Sequence, residues 1–148
     1  MEADRREADR LEGILRAEFD VLRCPGPPAP EYTCPGGRGE HCTFACEADV
    51  IVLDQWVEGD TFLQGTTGWE LLFYYRSLGK IVVVLVSDED PLRPLPDPFI
   101  LAIERAPDRD SLLSAVRDAC TRLADGRGAL REAVPDAVVP SMRGRWTE

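Results

Sequence analysis

Apolar and polar positions along this chain fall into blocks, and the blocks switch between a helical period and continuous apolar runs. Leu11, Ile14 and Leu15, flanked by Ala8 and Glu18, recur at helical spacing in a charged stretch, which predicts an amphipathic helix over 4–18. Arg5, Arg6, Glu7, Asp9, Arg10 and Glu12 make its other face a solvated one. FDVLR (19–23) is a short strand candidate, stopped by CPGPPAP because proline cannot donate to a sheet ladder. Residues 24–39 form a loop with four Gly and five Pro, followed by a short helix over 40–48 and a strand over 49–54. A loop over 55–67 leads to a helix over 68–78, with Trp69, Leu72, Phe73 and Arg76 on one stripe and Gly79 just beyond its end. KIVVVLVS (80–87) is the strongest strand pattern, and 98–104 predicts another after an exposed loop at 88–98. The last helix spans 110–123, with Leu112, Leu113, Val116, Ala119, Cys120 and Leu123 as its buried stripe.

The runs VIVL and IVVVLV are continuously apolar, as in strands covered on both faces. Their alternation with helices predicts a parallel α/β sheet with right-handed crossovers. The chain reads as one domain over 1–124, carrying a Cys/Pro/Gly-rich insertion at 24–46, and a weakly structured tail over 125–148.

Composition narrows the function. With 148 residues and a net charge of −10, the chain can bury a core, but it lacks the basic surface that nucleic acid requires. No apolar run approaches the ~20 residues of a membrane span. The charged start MEADRREADR is not a secretory signal, and five cysteines without such a signal fit a reducing cytoplasm. Sixteen arginines accompany one lysine (Lys80) and one histidine (His41), which leaves no multi-histidine chemistry. No acid–base pair or activated nucleophile emerges, so an independent enzyme is not expected.

Ligands of open α/β sheets sit at the carboxyl ends of the strands. Those ends carry Asp54, Ser87 and Arg105: an acid, a hydroxyl and a cation at consecutive strands. The acid could accept a phosphoryl group or hold a divalent cation, and the hydroxyl and cation could contact the product. The quieter reading makes Asp54 a strand-end acid that caps the following loop. Two aromatic and acidic groups carry less. Trp56, Phe62 and Trp69 read as a lid over the sheet, and Asp88, Glu89, Asp90 and Asp97 as a solvated run.

With ADVIVLD (48–54), GWELLFYYR (68–76), KIVVVLVS (80–87) and RAPDRDSLLSAV (105–116), the chain resembles the receiver domain of two-component response regulators over roughly residues 2–123. The resemblance implies a flavodoxin-like three-layer α/β/α sandwich with a parallel sheet, Asp54 as phosphoacceptor, Ser87 and Arg105 as phosphate contacts, and Mg²⁺ if Asp54 is phosphorylated. The departures are specific. The first strand, with its acidic pair, is absent, and only Glu2 and Asp4 lie near that place. Arg105 stands where the family has lysine, a bulkier planar fork. DEDPLRPLPD replaces the helix that follows the Ser/Thr strand. The expectation is a degenerate receiver-like signalling or interaction module, not phosphorylated in the usual way. An open position in a parallel sheet invites pairing, so a protein partner or self-association is expected.

A second class of function rests on Cys24, Cys34, His41, Cys42 and Cys46, spaced C-x9-C-x7-C-x3-C. Four thiols and an imidazole suffice for zinc or an iron–sulfur cluster, and would make a metal or redox sensor. No C-x2-C knuckle is present, and Cys42 and Cys46 sit i, i+4 on the short helix, where packing alone explains them.

Overall fold

The computed structural model describes residues 5–26, 33–54, 68–87 and 97–133, with backbone only for Trp69 and 127–133. Helix α1 spans Arg5–Leu15, α2 Thr43–Glu47, α3 Gly68–Ser77 and α4 Arg109–Ala133. Strands β1 (Val50–Asp54), β2 (Ile81–Val86) and β3 (Ile100–Glu104) form one parallel sheet in that order. Among the described residues four α-helices and a three-strand parallel sheet make an α/β architecture compatible with the flavodoxin-like class. Among the described residues no helix is long and apolar enough to cross a membrane.

The continuous apolar runs have the meaning that two-sided covering gives them. Alternate residues of β2 belong to different cores. Ile81, Val83 and Leu85 pack with Leu11 and Leu15 of α1 and with Leu112 and Val116 of α4. Val82 and Val84 pack with Ala45 of α2 and Leu71, Leu72 and Tyr75 of α3. β2, in the middle, is buried from Ile81 through Leu85, while Val50, Ile51 and Val52 of β1 are half-buried.

Several boundaries and faces differ from the sequence reading. The stripe of α3 facing the sheet is Leu71, Leu72 and Tyr75, and Phe73 is 62% exposed. α2 is trimmed at its start because Cys42 is extended and its N–H is held by the Tyr74 hydroxyl at 3.2 Å. α3 stops where Gly79 takes a left-handed φ of 72°, as Gly79 was placed to do. α4 runs on to Ala133 rather than ending at 123. The good helix formers in ALREA outweigh its glycines, each of which disfavours helix by about 1 kcal/mol. Cys120 is exposed, not core.

The strand expected over 19–23 does not form. A strand needs a ladder partner, and the segment faces a cavity rather than the edge of β1. The expectations for Glu2 and Asp4, for Trp56 and Phe62, for Asp88, Glu89 and Asp90, and for the tail beyond 133 lie outside the described residues.

Candidate functional site at the carboxyl ends of the strands

Parallel register brings the three strand ends to one edge of the sheet. Asp54 pairs with Leu85 across β1 and β2, and Val86 pairs with Glu104 across β2 and β3. Asp54, Ser87 and Arg105 therefore emerge side by side. The Arg105 N–H donates to the Val86 carbonyl at 2.7 Å, so the backbone under the guanidinium is fastened to β2.

The acid and the cation meet directly. A guanidinium N–H of Arg105 donates to the Asp54 carboxylate at 2.9 Å. The Asp54 side chain is 0% exposed and that of Arg105 is 43% exposed. The pair thus has one member sealed in the protein and one at the surface. Ser87 is half-buried beside them. The sequence had Arg105 as a contact for a bound phosphoryl group; its partner here is Asp54 itself.

The turn after Arg105 is strained. Ala106 has φ 55°, a region that costs an L-residue about 1–2 kcal/mol and that a following proline opposes further. The chain is then caught by Asp108, whose carboxylate accepts the Ser111 N–H at 2.8 Å and the Ser111 hydroxyl at 3.0 Å. That capping arrangement starts α4 and, through the Ser111 N–H first, holds the Asp108 carboxyl below its ordinary range. The Arg105 N–H bond to Val86 on one side and the Asp108 cap on the other sustain this strained turn next to Arg105.

The cysteine loop lies elsewhere, packed on α2 and α3. Cys34 and Cys42 are buried, Cys24 is half-buried and Cys46 is exposed. Burial pushes the Cys34 thiol up, while the N–H groups of Gly37, at 3.4 Å from its sulfur, and Gly36 act against that. Cys46 Sγ lies 3.6 Å from Nδ1 of His41, at the surface. Among the described residues no group of three or more His, Cys, Asp or Glu side chains is gathered so as to hold a metal ion. The loop is fixed instead by Tyr74, whose hydroxyl donates to the Glu40 carbonyl at 2.8 Å and accepts from Cys42.

Two features had no counterpart in the sequence reading. Lys80, the chain's one lysine, donates to the carbonyls of Cys46 and Ala48 at 2.9 and 2.7 Å and satisfies the end of α2. Its position just before a strand carried no helix-end signal. The other is the cavity bordering β1, taken up below. Comparison with family models, with curated proteins and with solved structures finds no match.

Proposed function

We propose that this chain is a receiver-like protein-interaction module, of flavodoxin-like three-layer α/β/α build, that works through binding rather than through a phosphoryl group on Asp54. The observation that carries the reading is the Asp54–Arg105 pair. An incoming phosphoryl donor needs the carboxylate as an in-line nucleophile, and a divalent cation beside it to balance charge. Asp54 is instead sealed from solvent, with one oxygen held by a permanent cation. A guanidinium cannot be titrated away, so the pair persists across physiological pH.

The test is incubation of the chain with acetyl phosphate and with phosphoramidate in Mg²⁺, followed by intact-mass measurement. The reading expects no adduct, for the native chain and for Arg105→Lys alike. A base-labile, hydroxylamine-sensitive phosphate adduct that Asp54→Ala abolishes overturns it and makes the chain a true phosphoacceptor.

A further inference from the structure

β1 is an edge strand composed as an inner one. Val50, Ile51, Val52 and Leu53 are aliphatic without interruption, with none of the lysine, proline or charge by which exposed edges are guarded. Among the described residues only β2 pairs with it. The half-burial of Val50, Ile51 and Val52 goes with a cavity of about 590 Å³ that they border. Leu11, Leu15 and Val116 close one face of that cavity; Ala45 and Tyr75 close the other. The segment 19–25 also lines the cavity, and its stretch 19–23, which the sequence predicts as a strand, forms none. Among the described residues, a strand-like segment, a gap and an inner-type strand in succession describe a sheet with one position open.

We infer that this cavity is a slot for an extended segment of a partner protein: about five aliphatic residues flanked by lysine or arginine, added to the sheet beside β1. The length follows from the five residues of β1. The occupant must be aliphatic on both sides because both faces of the slot are apolar. Its basic flanks follow from the charged residues bordering the slot, where Asp20, Glu47 and Asp49 outnumber Arg23 and where Glu12 is bridged by Arg16 and Arg23. Arg23 is itself engaged by Asp9 and Glu12. A second copy of the chain is a poor occupant. Its own β1 is walled in by its own 19–25, so two such edges cannot meet, whereas an unfolded tail can thread between the walls. None of Asp54, Ser87 and Arg105 lines the slot, so this inference goes beyond the receiver-like reading and can fail without it.

The probe is a fluorescein-labelled Lys-Lys-Val-Ile-Val-Val-Ile-Lys-Lys peptide, titrated into the full chain by anisotropy. It is compared with the same peptide N-methylated at alternate amides, which keeps the apolar surface and removes the ladder donors. Saturable binding is expected, with the methylated peptide at least about tenfold weaker. Hydrogen exchange of the amides at 50–53 should slow in the complex. Val50→Lys, folded by circular dichroism, should weaken binding likewise, and the methylated peptide carries the test if that variant does not fold. Equal affinity for both peptides, or no saturable binding, overturns the inference. So does filling of the slot by an anilinonaphthalene dye that neither peptide displaces, which makes it a small-molecule site. Dimerisation of the chain that masks 50–53 overturns it as well.

Discussion

Breaking the Asp54–Arg105 pair from its two sides should give unequal losses. At an effective dielectric of about 20, two unit charges ~4 Å apart attract by about 4 kcal/mol. In Arg105→Gln that attraction goes, while the buried carboxylate, at 0% exposure, loses its counter-ion. Asp54 keeps its remaining contacts, which brings the expected loss to about 2–4 kcal/mol. In Asp54→Asn the amide oxygen still accepts a bond, and Arg105, already 43% exposed, recovers its hydration. The expected loss there is about 1–2 kcal/mol. Urea unfolding of the native chain and both variants at neutral pH measures this. A loss in Asp54→Asn equal to or greater than that in Arg105→Gln refutes the reasoning.

Three further outcomes are expected. Ala106→Gly should stabilise the chain by about 0.5–1 kcal/mol in urea unfolding, since the left-handed backbone at φ 55° suits glycine; destabilisation would show that Ala106 is not strained. Burial raises the Asp97 carboxyl, but the N–H of Phe99 and the Arg76 guanidinium together lower it further, so its folded value lies below its unfolded one. The stability it contributes is present above the unfolded value and is lost as pH falls through the folded one. Asp97→Asn should therefore lose about 0.5–1 kcal/mol at neutral pH and show a flatter acid limb. Timed iodoacetamide labelling with mass spectrometry should modify exposed Cys46 before buried Cys34, whose thiol burial pushes up. Early labelling of Cys34 would mean that the 33–39 loop opens readily.

The sequence showed the parallel α/β class and the three strand ends because both depend on local pattern. Continuous apolar runs at VIVL and IVVVLV, and a single polar residue closing each, survive any tertiary arrangement. What failed was whatever depended on a neighbour. Phe73 looks like a core residue by spacing, yet the rotation of α3 is set by Leu71, Leu72 and Tyr75 against Val82 and Val84. Lys80 reads as the polar start of a strand, and only the arrival of the α2 carbonyls gives it partners. The pairing of Asp54 with Arg105 spans 51 positions, a separation over which no spacing rule operates.

The failed strand at 19–23 is different in kind. Residue by residue, FDVLR and VIVL are what two sheet positions require, and only one of them is occupied. Local preference and tertiary outcome normally agree in a folding sequence, and disagreement collects where function demands it. Here the disagreement coincides with a cavity walled by both segments, on the opposite side of β1 from β2. At the strand ends the reverse holds: a constellation of the kind that elsewhere takes a phosphoryl group has its acid buried against its own arginine. On the proposed reading recognition runs along β1 and not at Asp54, and the peptide titration and the phosphoryl-donor experiment test its two halves separately.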